Sequence, residues 1–119
     1  MKPQKPLIEY HLDYLDYLEI EKGLSNNSQK NYSRFLLKFF DWLKKTNLKL
    51  IKPNQLTNKH IWDYRVYLSR STNKKSKNKV FLKKSTQNLY LIAVRSLLEY
   101  FAEKEIASLS PAKIKLVKN

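Results

Sequence analysis

Cysteine is absent from this 119-residue chain, and with it go disulfides, thiolate metal sites and cysteine nucleophiles. Glycine occurs once, at Gly23, and proline four times. A sheet protein needs both at its turns, so their scarcity points to an all-α fold. No apolar run approaches bilayer-spanning length, and the opening MKPQKP lacks the apolar stretch of a secretory signal. The expectation is a soluble, cytoplasmic protein without membrane contact. Metal-ligand clusters, a phosphate-cradling glycine loop and a Ser-His-Asp set are missing too, so no cofactor is expected.

Acidic residues are scarce in one region above all. Of ten, five lie near the start (Glu9, Asp13, Asp16, Glu19, Glu21) and three near the end (Glu99, Glu103, Glu105). Between Lys22 and Leu98 only Asp41 and Asp63 remain, although the chain carries a formal net charge of +14. The positive field therefore belongs to the middle of the chain, and a polyanion is its natural partner. Hydrophobic residues make up 42% of the sequence, enough to fold one core and to argue against disorder.

Four helices can be read in order. Pro6 opens the first, Ile8, Leu12, Leu15 and Leu18 fall at helical spacing, and Gly23 ends it. Tyr10, Tyr14 and Tyr17 make that helix aromatic on more than one side, suiting core packing or a contact face for a second protomer. Ser25, Asn26 or Asn27 caps the second helix, where Tyr32, Leu36, Phe39 and Leu43 form an apolar stripe opposite Lys30, Arg34, Lys38 and Lys45. Thr57 caps the third, with Leu56 and Ile61 placed as a hydrophobic staple and Ile61, Tyr64 and Leu68 as its buried face. Residues 69–84 are polar and basic without an acid. Lys74, Lys75 and Lys77 there suit a loop that orders on a phosphate backbone, with Phe81 and Leu82 anchoring its end. The fourth helix spans about 85–104, with Leu91, Val94, Leu98 and Phe101 as its core line. The folded domain is expected over 1–112, and 113–119 as the start of a linker.

The second and fourth helices echo each other. With Leu24 laid on Leu82, Ser28 falls on Thr86, Gln29 on Gln87, Tyr32 on Tyr90, Leu36 on Val94 and Leu43 on Phe101. Each has a polar start, a tyrosine and then an apolar stripe.

Leu24-Ser25, Ser28, Tyr32, Leu36, Phe39, Phe40 and Trp42-Leu43, followed by Ser85, Thr86, Asn88, Tyr90, Leu91, Ala93, Arg95, Ser96 and then Ser110-Pro111-Ala112, form an ordered set. The set resembles the amino-terminal core-binding domain of tyrosine recombinases, the group of phage integrases and Xer proteins. Departures are Gln87 and Phe35, and Lys83-Lys84 where Ser-Pro often opens the last helix. The family's catalytic His-x-x-Arg is missing: His11 meets Tyr14 at that spacing and His60 meets Asp63. The chain thus looks like the binding half only, without catalytic residues.

The resemblance implies a four-helix orthogonal bundle of SAM-like type, forming one jaw of a clamp on double-stranded DNA. A catalytic domain outside this sequence would close the other side, and full-length protomers would form tetramers on paired sites. It implies DNA contact from Ser28, Lys30, Asn31 and Arg34 on the second helix and from Lys84, Ser85, Thr86, Asn88 and Arg95 on the fourth. Lys, Ser and Thr would mainly hold phosphates, while Asn and Arg can read base edges. Two other functions fit the residues: a free-standing DNA-binding module, and a protein-interaction bundle working through its acidic first helix.

Overall fold

A computed structural model of the chain describes residues 3–72 and 80–118. Its α-helices are α1 (His11–Ile20), α2 (Asn26–Lys45), α3 (Asn58–Arg70) and α4 (Lys84–Glu103). The only strand-like pairing among the described residues is a single bridge between Thr72 and Phe81. The fold is all-α, as the scarcity of turn residues implies.

The chain enters α1 through a 3-10 turn, Leu7–Tyr10. Its tighter winding changes which side chains face inward. Leu7, Tyr10, Tyr14, Tyr17 and Leu18 are buried, whereas Ile8 and Leu15 are half-buried and Leu12 is 73% exposed. Of the expected apolar line only Leu12 faces away, since Leu18 is buried and Ile8 and Leu15 pack on the core. The tyrosines take the core role that was one of their two expected ones. Tyr14 reaches across to α4, its hydroxyl donating to Ser96 Oγ at 2.8 Å. Tyr10 and Tyr17 meet Phe101 and Tyr100 edge-on at 5.1 and 5.3 Å between centroids. Gly23 sits at φ 63°, the left-handed conformation that ends the helix.

The echo between α2 and α4 extends to both ends of each helix. At the start, Gln29 Nε2 donates to the Leu24 carbonyl at 2.9 Å, and Gln87 Nε2 donates to the Leu82 carbonyl at the same distance. At the end, the amides of Leu48 and Ile106 donate to the carbonyls of Leu43 and Phe101 at 2.7 and 2.8 Å. Between them Asn47 and Glu105 adopt φ 62° and 57°. This closure satisfies carbonyls that the last helical turn leaves free, and it is usually built on glycine. Both helices have 20 residues, so the repeat is one capped structural unit used twice.

Helices α2 and α4 pack on each other, α1 lies on both, and α3 packs on α4. Phe39 is central: its ring stacks on Trp42 at 5.9 Å and meets Tyr64 of α3 edge-on at 4.8 Å. Thr57 caps α3 as expected, with Leu56 and Ile61 buried as the staple. His60 completes the cap, its Nδ1 accepting from the Thr57 amide at 3.0 Å. The connector between α2 and α3 is tied to the chain start, the Leu7 amide donating to the Ile51 carbonyl at 2.7 Å.

Of the two residues expected to anchor the basic segment, Phe81 is 61% exposed, whereas Leu82 packs on the core and its amide donates to the Ser71 carbonyl at 3.1 Å. Within residues 113–119, expected to begin a linker, three apolar side chains are turned inward. Ile114 is buried, and Leu116 and Val117 pack on the core.

Candidate nucleic-acid interface

The expected contact residues divide between the starts and outer faces of α2 and α4. On α2, Ser25 caps the helix by accepting from the Ser28 amide at 3.2 Å, and its hydroxyl donates to Ser28 Oγ. Ser28 therefore belongs to the cap. Lys30, Asn31 and Arg34 are exposed one turn further on. Arg34 lies 5.0 Å over the Phe35 ring and donates weakly to Asn31 Oδ1 at 3.4 Å, which leaves most of its donor fork facing water.

On α4, Lys83 stands at the N-cap without a side-chain cap bond, and Lys84 and Ser85 are exposed. Thr86 is half-buried. The N-cap side chain thus gives the first-turn amides no acceptor, and two lysines stand beside them, an arrangement that favours an anion. Gln87, in an apolar position of the resembled family, is 5% exposed and donates from Nε2 to the Leu82 carbonyl.

Asn88 is tied to the C-terminal segment. Its Nδ2 donates to the Val117 carbonyl at 3.1 Å, and its Oδ1 accepts from the Val117 amide at 2.7 Å. Both halves of the amide are thereby used in holding the C-terminal segment, and little is left for a base edge. Arg95 lines a cleft with Tyr32 and Glu99, between α4 and the start of α2. Lys74, Lys75 and Lys77 lie outside the described residues.

The two groups meet through an aromatic seam. Phe35 of α2 and Tyr90 of α4 are edge-on at 5.3 Å, placing Arg34 and Thr86 within one helical turn of a shared contact. Lys38 sits on the seam, with Nζ 5.3 Å from the Tyr90 ring centre and 5.4 Å from that of Tyr67. Sequence periodicity assigns Lys38 to the basic stripe, but only the assembled helices reveal that it joins three of them.

Electrostatics divide the surface. The ion pairs among the described residues are Lys5–Asp13, Lys59–Asp63 and Lys104–Glu21, so Lys30, Arg34, Lys38, Lys84 and Arg95 have no such neutralising partner. Three of the tyrosines are unsuited to nucleophilic work at neutral pH. Burial pushes the Tyr14 and Tyr64 hydroxyls far up, and Tyr100 up to about 12. Among the described residues no three metal-ligating side chains cluster, and no helix is long and apolar enough to cross a membrane.

Comparison with known proteins adds a family to this geometry. Curated protein sequences contain no match. Among solved structures, the fold is similar to the N-terminal domain of a phage integrase/site-specific recombinase from Haloarcula marismortui. The TM-score is 0.75 over 98% of this chain and 100% of that one, at 18% identity. Residues 12–105 match the family model described as phage integrase, N-terminal SAM-like domain. That match reaches into all four helices, and the chain accordingly belongs to the phage integrase N-terminal SAM-like domain family.

Proposed function

We propose that this chain binds duplex DNA as the N-terminal clamp domain of a site-specific tyrosine recombinase, with the chemistry supplied by a catalytic domain beyond this sequence. The observation that carries the reading is the unpaired basic surface on α2 and α4, in a chain whose acids lie mainly on α1 and the far end of α4. Lys30, Arg34, Lys84 and Arg95 provide charge for phosphates. Asn31, Ser85 and Thr86 provide hydrogen-bonding groups beside them, and Lys74, Lys75 and Lys77 add positive charge to the sequence between α3 and α4. Full-length protomers would assemble into tetramers on paired sites.

Charge reversal tests the reading. Arg34→Glu lies on the proposed contact face, and Lys49→Glu changes net charge equally on the exposed connector. Fluorescence anisotropy with a labelled duplex should show a loss of about tenfold or more for Arg34→Glu, equivalent to ~1.4 kcal/mol. Lys49→Glu should lose less than about threefold. Equal losses would mean that only net charge matters and would remove α2 from the interface.

A further inference from the structure

The core uses only one of the chain's two tryptophans. Trp42 is buried, whereas Trp62 on α3 is 59% exposed. Trp62 lines a groove of about 870 Å³ between α2 and α3. On the α3 side, Trp62, Val66 and Arg70 recur at four-residue steps and so share one helix face. Lys38, Asp41 and Lys45 line the groove from α2. Arg65 lies 5.6 Å over the indole ring and steadies it. Of the two carboxylates in the groove, Asp63 is paired with Lys59 at 3.3 Å. The charge of Lys38, Lys45 and Arg70 therefore prevails, and the groove suits an anionic ligand.

An exposed aromatic ring among cations is the chemistry that holds unpaired bases: the ring takes a base by stacking and the cations take phosphates. A duplex makes poor use of such a ring, because its bases cover one another's faces and present only their edges in the grooves. The length also fits a short strand. Trp62 to Arg70 spans about 12 Å of helix, and a stacked strand advances about 3.4 Å per nucleotide, so about three nucleotides fit. Asp41, which has no ion pair among the described residues, offers an acceptor for a base amino group such as that of cytosine. We infer that the α2–α3 groove binds a short stretch of single-stranded DNA, one base stacked on Trp62 and its phosphates held by Lys38, Lys45 and Arg70. Lys38 also lies 5.3 Å from the Tyr90 ring centre, so the groove adjoins the α2–α4 seam, and a strand unpaired at the end of a bound duplex has a path into it. Single-strand binding here does not depend on the duplex contact proposed for α2 and α4.

The probe is single-stranded oligodeoxycytidine of about six nucleotides, titrated into the domain at ~0.1 M salt. Tryptophan fluorescence should be quenched through the exposed Trp62, with buried Trp42 contributing a constant background. Trp62→Ala leaves the charge unchanged, so its effect on anisotropy of the labelled oligonucleotide reports stacking, and affinity should fall about tenfold. Trp62→Phe keeps a ring and should retain most of the affinity, while Arg70→Glu should lose about tenfold or more. Duplex affinity of Trp62→Ala should stay within about twofold of wild type, because a duplex offers the ring no free base face. Circular dichroism should show the same helix content in all variants. Absence of quenching in wild type, single-strand affinity that Trp62→Ala leaves intact, or an equal loss for duplex and single strand would each overturn the inference. Quenching by the oligonucleotide in a domain that ignores duplex would sustain the inference and remove the proposed duplex contact.

Discussion

Asn88 offers a sharp test of the structure, because it was expected at the DNA and is found holding the C-terminal segment. Asn88→Ala removes two hydrogen bonds to Val117, at 2.7 and 3.1 Å. A typical hydrogen bond contributes about 0.5–1.5 kcal/mol net. Val117 is only half-buried, so its freed amide and carbonyl can turn to water, and the loss should lie near ~1–2 kcal/mol. That is a factor of about 5–30 in a local opening equilibrium. Hydrogen exchange at the Val117 amide should accelerate by that factor, while amides in the middle of α4 should change little. Asn88→Asp keeps an acceptor for the Val117 amide but faces the Val117 carbonyl with a carboxylate, so it should rescue only part of the protection. DNA affinity of Asn88→Ala should stay within about twofold, since the side chain is already occupied. Unchanged exchange at Val117, or a tenfold loss of DNA affinity, would refute the assignment and return Asn88 to the DNA face.

The glutamine device at the two helix starts should differ in strength. Gln87 is buried, so Gln87→Ala leaves the Leu82 carbonyl poorly solvated and should cost ~1–3 kcal/mol in urea unfolding, whereas Gln29→Ala, nearer solvent, should cost ~0.5–1.5 kcal/mol. Equal costs would mean that burial does not set the difference. His11 shares a 2.9 Å hydrogen bond with Ser33 Oγ, and desolvation lowers its pKa below 6.5. The unfolded chain then takes up a proton first, so stability should decline as pH falls through about 6.5 and level off below the folded-state pKa. Replacing His11 with Gln should remove that part of the pH profile; an identical profile would exclude His11 as its source.

Helices α2 and α3 were readable because their caps and apolar spacings are local properties, and α4 because its apolar spacing is. Ser25, Thr57 and the Leu36–Phe39–Leu43 line stand in the structure where the sequence places them. The first helix misled because the 3-10 turn at Leu7–Tyr10 is set by packing against the connector, which heptad spacing does not encode. Within the candidate site, the basic stripe was legible from charge and periodicity. The tasks of Asn88 and Ser28 were not, since each is defined by a partner: Val117, distant in sequence, or the Ser25 cap. The echo proved more informative than its side-chain pattern, because Gln29 and Gln87 turn out to make the same bond.

The central claim is that α2 and α4 neutralise DNA phosphates, and the salt dependence of duplex binding tests it most directly. If Lys30, Arg34, Lys84 and Arg95 each release one counterion, the log–log slope of affinity against salt should be about −3.6. Affinity should then fall ~150-fold between about 50 and 200 mM salt. The Arg34→Glu/Arg95→Glu variant should show a clearly shallower slope. A duplex affinity that stays flat across that range, or a slope that both reversals leave unchanged, would contradict the account.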